Sequence, residues 1–417
     1  MRILISAFYC SPYRGSESAV GWQIATGVAR SHDVTVLCGD LSPERPTFRD
    51  LERYKSESGL PKGLTIEYIA PSRWMSFLNR FHRLPGMWTL FYMAYRLWQR
   101  KAYRKALTLH AERPFDLAHQ TTVIGFREPG FLWKLPVPFL WGPVSGAPVV
   151  PFSFINRFGV GERFRWGTHL ILNRLQITLA RNARLAARKA TRLWAVTPED
   201  LNMFRNWGIE PFPLLETAGP NELSGKVRTR SPGSPLRICW SGLFQGRKCL
   251  FILLEAIGRL QNLPLEIEIL GDGPEAERWK NLASRLNLGE RVHWNGMIPR
   301  QAALRVMESC HVFAHTSVKE ASSTVTLEAL AMGLPVICHD ACGMGTAVNS
   351  QSGIKVPLLN PACSVEGFQR AIQRFSDEPA LLGELSVGAL NRARELSWEV
   401  KIGEILQGYE EVLAKTC

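Results

Sequence analysis

Short apolar runs alternate with helix-length stretches along this chain, and a polar break divides the alternation into two series. The first series of strand-like runs is Arg2–Phe8, Asp33–Gly39, Leu64–Ala70, Asp116–Gln120, Val137–Gly142 and Arg192–Thr197. The second series is Leu236–Gly242, Leu265–Leu270, Val292–Asn295, His311–His315, Pro335–His339 and Ile354–Val356. Such alternation is typical of a parallel sheet wrapped by helices. The sequence therefore predicts two α/β domains of similar plan.

The break between the two series indicates the domain boundaries. A chain of 417 residues is longer than one hydrophobic core usually serves, so two domains are expected. The stretch 222–235 is rich in Gly, Pro and Ser and predicts a linker between a first domain, 1–221, and a second domain, 236–397. The remaining segment, 398–417, predicts an amphipathic helix.

Composition narrows the class of protein and its partners. The net charge of +13 at pH 7 indicates an anionic partner, which is nucleic acid, acidic lipid or a phosphorylated substrate. No nucleic-acid-binding motif accompanies the charge, so nucleic acid is not expected. The nine cysteines are scattered without a Cys-x-x-Cys pair, a pattern typical of a reduced, cytoplasmic protein. The longest uncharged run, 135–156, contains five prolines and therefore predicts no membrane-spanning helix.

The stretch Arg73–Arg113 combines many aromatic side chains with Lys and Arg. This mixture favours peripheral binding to an anionic membrane surface, which here means the inner face of the cytoplasmic membrane. A long core helix with a solvated basic side explains the same pattern equally well.

Two carboxylates eight positions apart, Glu320 and Glu328, precede the turn and strand Gly-Leu-Pro-Val-Ile. A helix is predicted to begin near Ser322, and the backbone N–H groups of Ser323 and Thr324 would then face a phosphate. Carboxylates suit sugar hydroxyls and amides suit phosphate, so the segment favours a nucleotide-sugar site. The alternative is a surface helix with two solvated glutamates.

This segment resembles the signature of family 4 retaining glycosyltransferases, which has Glu, seven residues, Glu and then the same turn and strand. The resemblance implies the GT-B architecture, in which two Rossmann-like domains face each other across a cleft and the final helix crosses back to the first domain. It also implies that Glu320 contacts the donor sugar and that Glu328 holds the nucleotide ribose. The family usually has Gly where this chain has Ala321 and Ser323.

Three further segments of the second domain resemble the family's donor site. Gly242 ends a strand before Arg247 and Lys248, whose charges would neutralise a diphosphate. Leu243 stands where the family has Arg, and Arg247 is the candidate to replace that charge. Glycine turns and a strand end complete the set of expected donor contacts, which with those of the first domain is Gly15, Ser16, Gly242, Arg247, Lys248, Gly271, Gly273, Asn295, Ser322, Ser323, Thr324 and Glu328.

The first domain is expected to bind the acceptor. Its candidates are Gly15 in a loop before a helix that should begin near Ser18, His119 at a strand end, and Gly142 and Ser145 in a Gly-Pro loop. By resemblance, His119 contacts the sugar or the acceptor. A structural histidine and a capped βα loop are the alternative interpretations.

The resemblance implies transfer of a sugar to a glycan or lipid-linked acceptor with retention of the anomeric configuration, in bacterial polysaccharide biosynthesis. The expected catalytic residues are His119, Lys248 and Glu320. No cofactor and no metal are expected, because the strand-like His311 and His315 lack a matching carboxylate and no Asp-x-Asp is present. The alternatives are a nucleotide-sugar epimerase of the same fold and a catalytically weak partner protein that binds nucleotide-sugar.

Overall fold

Two parallel sheets form the frame of the molecule. The computed structural model describes residues 1–81, 89–223 and 225–414. The first sheet has seven strands in the order β3-β2-β1-β4-β5-β6-β7. These strands are β1 (Arg2–Ser6), β2 (Asp33–Gly39), β3 (Leu64–Ile69), β4 (Leu117–Gln120), β5 (Phe139–Val144), β6 (Arg192–Ala195) and β7 (Phe212–Pro213). The central strands are apolar on both faces because helices cover both sides of the sheet.

The helices of the first half connect strands that are consecutive along the chain. They are α1 (Glu17–Ala29), α2 (Pro46–Ser58), α3 (Arg73–Phe81), α4 (Thr89–Glu112), α5 (Phe152–Ile155), α6 (Val160–Leu179), α7 (Arg181–Lys189) and α8 (Pro198–Asn206).

The second sheet has six strands in the order β10-β9-β8-β11-β12-β13. They are β8 (Leu236–Ser241), β9 (Leu265–Leu270), β10 (Val292–Gly296), β11 (Val312–His315), β12 (Val336–His339) and β13 (Gly353–Val356). The helices are α9 (Leu250–Gly258), α10 (Ala276–Arg285), α11 (Arg300–Glu308), α12 (Thr324–Ala331), α13 (Cys342–Ala347), α14 (Pro361–Asp377), α15 (Pro379–Glu395) and α16 (Trp398–Ala414). The two predicted series of strands are confirmed to within a few residues, and only the two-residue strand β7 was not predicted.

The last helix, α16, crosses back onto the first domain. Its Tyr409 is fully buried and its hydroxyl lies 2.7 Å from Nδ1 of His119 on β4. Ile402 packs against Gly27 of α1, where a Cβ would lie 2.6 Å from the Ile side chain. The crossover that the resemblance implied is therefore confirmed for 398–414, and 415–417 lie outside the described residues.

One segment of the first half leaves its own domain. Phe154, Phe158 and Trp166 join the hydrophobic cluster of the second domain together with residues of β8 and α9. The ring of Phe158 packs so closely on Gly246 that a Cβ there would lie 2.7 Å from it. We call residues 150–166 the strap, because they fasten the first domain to the second.

The basic aromatic stretch divides into α3 and α4, and its residues 82–88, including Arg83 and Trp88, lie outside the described residues. Tyr95 and Trp98 of α4 are fully buried, so this helix is a core helix with a basic outer side. Trp74 and Phe77 of α3 are exposed. In the described ranges, no helix is both long and apolar enough to cross a membrane.

Candidate active site

A cavity of about 500 Å³ lies between the two domains, at the carboxyl ends of their strands. The first domain lines it with residues that include Tyr9, Glu17, Tyr92, Arg127, Ser145, Gly146, Trp166 and His169. The second domain lines it with Arg247, Lys319, Glu320 and Ala321. The volume is ample for a sugar with part of a diphosphate.

Glu320 is the charged centre of the second-domain wall. One carboxylate oxygen accepts a hydrogen bond from Arg247 at 2.8 Å and also forms an ion pair with Nζ of Lys248. Burial alone would raise the pKa of Glu320, but the charges of Lys248 and Arg247 outweigh it and lower that pKa to about 2. Burial lowers the pKa of Lys248, while Glu320 opposes this shift. Two cations around one carboxylate leave a net positive charge beside the cavity.

The glycine turns of the second domain form a narrow slot next to this centre. Gly271 has φ 129°, and a Cβ there would lie 1.9 Å from the carbonyl oxygen of Gly242. Only glycine therefore fits this approach of two backbone turns. A second cavity of about 230 Å³ lies here and is lined by Ser241, Gly242, Leu243, Leu270, Gly271, Gly296, Met297, Ile298 and Ala303. Its apolar walls suit the flat ring of a nucleobase.

Helix α12 begins beside the cavity. Ser323 is its N-cap, with a side-chain oxygen that accepts from the N–H of Thr326. The hydroxyl of Ser322 accepts a hydrogen bond at 2.9 Å from the N–H of Glu216, which lies near the end of the first domain. The predicted helix start near Ser322 is thus correct to within two residues. Phosphate binding by Ser322, Ser323 and Thr324 stays a prediction.

Glu328 lies in α12 outside the cavity lining and forms an ion pair with Arg300. Arg300 begins α11, whose Ala303 borders the slot. The predicted contact of Glu328 with a ribose at the edge of this slot stays a prediction.

Several cavity residues were missed by sequence reasoning. Glu17 directly follows the predicted Ser16, begins α1, and accepts a hydrogen bond from the N–H of Ile124 at 3.1 Å. Burial raises its pKa, opposed by the N–H groups of Ile124 and Val123. Charged residues in loops and on a helix that crosses to the cleft carry no local signature, so no signal in the sequence identified Glu17, Arg127, His169 or Lys319.

Arg127 and Lys319 place two further cations, both half-buried, in the lining of the cavity. Arg127 bonds to the side chains of Asn173 and Gln176 on α6. Nζ of Lys319 lies 3.4 Å from Nε2 of His169 and 5.2 Å from the centre of the Trp166 ring. All these partners are uncharged, because burial and then Lys319 lower the pKa of His169 to about 3. Burial, then Arg127 and Arg247, lower the pKa of Lys319 to about 8.

The structure corrects the role predicted for His119. Its side chain is 0% exposed, with Nε2 2.8 Å from the carbonyl oxygen of Gly142 and Nδ1 on the hydroxyl of Tyr409. Burial lowers its pKa to about 4. Both ring nitrogens are occupied inside the first domain, so a sugar or acceptor contact by His119 is wrong for this arrangement, and Gly142 is buried with it rather than facing the cavity.

Other predicted contacts divide between those at the cavity and those away from it. Ser145 lines the cavity, and its contact with an acceptor stays a prediction. Asn295 does not line the slot, because its amide donates to the Glu268 carboxylate at 2.8 Å, and Gly296 lines the slot instead. Gly15 and Ser16 are exposed, outside the cavity lining, and Ser16 rather than Ser18 is at the N-cap position of α1.

The described residues contain no group of three or more His, Cys, Asp or Glu side chains that would hold a metal ion. A reaction without metal or cofactor stays a prediction.

Residues 226–392 match the model of the family "Glycosyl transferases group 1". A D-inositol 3-phosphate glycosyltransferase of Streptomyces bingchenggensis is 27% identical over 54% of this chain and 53% of its own length. The lipopolysaccharide core biosynthesis glycosyltransferase LpsD of Rhizobium meliloti is 27% identical over 48% of this chain and 58% of its own length. The matches thus span about half the length of these relatives.

Solved structures share the whole architecture. Sucrose-phosphate synthase of Thermosynechococcus elongatus aligns over 99% of both chains, with a TM-score of 0.62 and 18% identity. HepE of Anabaena, solved with UDP and glucose, aligns over 99% of this chain and 100% of its own, with a TM-score of 0.56 and 15% identity. These likenesses confirm the two-domain GT-B fold.

Proposed function

We propose that this chain, whose residues 226–392 match the family model of the group 1 glycosyltransferases, transfers a sugar from a nucleoside-diphosphate donor to an acceptor hydroxyl with retention. The observation that carries the proposal is the Glu320 centre, where the carboxylate of Glu320 and the guanidinium of Arg247 line the cavity between the domains and the same carboxylate also pairs with Lys248. The carboxylate suits the sugar hydroxyls, and the excess positive charge suits a diphosphate.

The donor is assigned to the second domain. The base would enter the slot between Gly242 and Gly296, and the diphosphate would lie near Arg247, Lys248 and the start of α12. Arg247 lines the cavity, whereas Leu243 lines the slot. The position of Arg247 therefore supports the proposal that it replaces the arginine absent at Leu243. HepE, which has the same fold, was solved with UDP.

The chemistry follows from where charge develops. As the bond from the anomeric carbon to the diphosphate breaks, negative charge grows on the leaving oxygen, and Lys248 and Arg247 stabilise it. The acceptor hydroxyl attacks from the same face, its proton passes to the leaving phosphate, and the configuration is retained.

The acceptor side carries its own chemical preference. Arg127 and Lys319 are half-buried, and their hydrogen-bond partners Asn173 and His169 are uncharged. An anionic ligand would offset the cost of desolvating these two cations. We assign them to an anionic group on the acceptor, such as the phosphate of a lipid-linked glycan or of a sugar phosphate. Such an acceptor fits polysaccharide or lipopolysaccharide assembly at the cytoplasmic face of a bacterial membrane.

The test is a calorimetric and turnover screen of the purified protein against UDP-, GDP- and ADP-sugars. We expect one donor to bind, Glu328→Ala to weaken that binding, and Glu320→Gln to lower turnover about 100-fold. A rearranged nucleotide-sugar formed without acceptor would favour the epimerase. Donor binding without turnover, whichever acceptor is supplied, would favour the partner protein. If no donor binds, the proposal is contradicted.

A further inference from the structure

One face of α6 carries a row of exposed apolar side chains. The exposed fractions are 84% for Val160, 75% for Phe164, 69% for Ile171, 52% for Leu175 and 68% for Leu179. At 100° per residue these positions fall within an arc of about 100° on the helix, which is about 30 Å long. Exposed Thr168 is the one polar position between Phe164 and Ile171 in this arc, and an apolar row of this length on the surface is more typical of a contact site than of ordinary scatter.

The opposite face of α6 holds the helix in place. Trp166 and Asn173 are buried, and Asn173 donates to the carbonyl oxygen of Ala147 at 3.1 Å. Because the helix is anchored by this face, its apolar row does not need to pack elsewhere within the chain. The helix is also not apolar enough to cross a membrane.

Basic side chains flank the row on both sides. By the same helical geometry, exposed Arg163 and Arg174 lie beside one edge of the apolar arc, and Arg165 lies beside the other. The segment 151–190 has a single acidic residue, Glu162. Its basic residues are Arg157, Arg163, Arg165, Arg174, Arg181, Arg184, Arg188 and Lys189.

The row ends in a cationic groove between α6 and α7. This groove has a volume of about 480 Å³ and is lined by Thr178, Leu179, Arg181, Arg184, Leu185 and Arg188. Three guanidinium groups beside two leucines fit a phosphate joined to an acyl chain.

We propose that the face formed by α6 and α7 docks in the plane of an anionic lipid surface. Apolar side chains enter the boundary between headgroups and acyl chains, while the flanking arginines extend to the lipid phosphates. The charge of this face is nearly all positive, which favours a lipid surface over an apolar protein partner. The centre of a protein–protein interface is usually depleted of charged residues. This surface differs from the predicted stretch 73–113, in which Tyr95 and Trp98 are fully buried in the core.

The experiment is flotation of the full chain with vesicles of phosphatidylcholine alone or with 30% phosphatidylglycerol. We expect binding only to the anionic vesicles and loss of that binding at high salt. Ile171→Ser/Leu175→Ser/Leu179→Ser and Arg174→Gln/Arg181→Gln/Arg188→Gln should each reduce the partition coefficient at least tenfold. All six side chains are exposed, so the variants should unfold at the temperature of the original chain.

Matched controls distinguish this face from general stickiness or charge. Trp74→Ser/Phe77→Ser removes exposed aromatic residues of α3, and Arg285→Gln/Arg305→Gln/Arg370→Gln removes three exposed charges of the second domain. Both control variants should have a partition coefficient for anionic vesicles within twofold of that of the original chain. The proposal is overturned if the original chain does not float with anionic vesicles, or if the α6 variants lose no more binding than these controls. Because the measurement reads lipid binding alone, its result is independent of donor and acceptor.

Discussion

At the scale of single residues, the carboxylate of Glu320 pairs with both Lys248 and Arg247. Without that carboxylate, the two positive charges repel each other. Replacing it by Gln leaves Lys248 and Arg247 buried together without a counter-charge. We expect Glu320→Gln to lower the free energy of unfolding by about 3 kcal/mol at pH 7, as for other broken buried pairs. Urea unfolding measures this loss.

The matched control is Glu328→Gln, eight residues further along. Its partner Arg300 has a side chain that is 73% exposed, so the loss should stay below about 1 kcal/mol. The pKa of Glu320 is lowered in the folded chain, so its contribution to stability is present above its ordinary pKa near 4.5 and is lost as pH falls towards 2. The difference between Glu320→Gln and the original chain should shrink over that range. Equal losses for the two variants at pH 7 would contradict this account.

Lys319 gives the acceptor site a pH dependence. With its pKa lowered to about 8, the side chain carries its charge below pH 8 and loses it above. If the charge binds an anionic acceptor, kcat/KM for the acceptor should fall as pH rises through 8. Lys319→Arg keeps a charge at every pH and should remove this decline, whereas Lys319→Met should raise KM for the acceptor and leave donor affinity unchanged. A decline that persists in Lys319→Arg would assign it to another group.

At the scale of elements, the strap is the feature that joins the domains. Phe158 is buried in the second domain's cluster, whereas Phe152, six residues earlier, is 66% exposed. We expect Phe158→Ala to lower the free energy of unfolding by about 4 kcal/mol and Phe152→Ala to change it by less than about 0.5 kcal/mol. With the strap loosened, calorimetry of Phe158→Ala should separate the unfolding of the two domains. A single transition with no loss of stability would show that the strap carries no such energy.

The strands were predictable and the strap was not, for one physical reason. Strands of a parallel sheet are apolar on both faces, so their sequence alone marks them, as for Leu265–Leu270. The sequence around Phe154 and Trp166 would show the same apolar pattern whether these residues packed on their own domain or on the other one. Similarly, the position of His119 in the last strand-like residues indicated the cleft edge, but which way its ring turns depends on Tyr409, which lies 290 residues away. The motif was enough to indicate Glu320 and Arg247 as cavity residues, whereas the ion pair between them carries no signature in the sequence, and their contacts with a donor stay predictions.

At the scale of the whole molecule, three parts of the chain meet at Glu216. Its N–H donates to Ser322 of the second domain, and its carbonyl oxygen accepts from Nζ of Lys401 on α16 at 2.7 Å. Burial, then the charge of Glu17, raises the pKa of Glu216 to about 8, with Glu320 adding to this and Lys401 opposing it. The protonation state of Glu216 is therefore coupled to the packing of the second domain and α16 against the first domain.

The sign of its effect on stability follows from the direction of the shift. Between pH 4.5 and 8 the folded chain holds a proton on Glu216 that the unfolded chain has lost, so Glu216 makes the fold less stable as pH rises through this range. Burial lowers the pKa of Lys401 to about 7 and Glu216 opposes this shift, so the comparison is made between pH 4.5 and 7, before Lys401 loses its charge. Glu216→Gln stays uncharged, so it should match the original chain near pH 4.5 and exceed its stability increasingly up to pH 7. Glu210→Gln, at an exposed ion pair with Arg205, should show no such rise. A constant difference between Glu216→Gln and the original chain across these pH values would mean that Glu216 ionises as freely in the folded chain as in the unfolded one, and that the junction does not bury its charge.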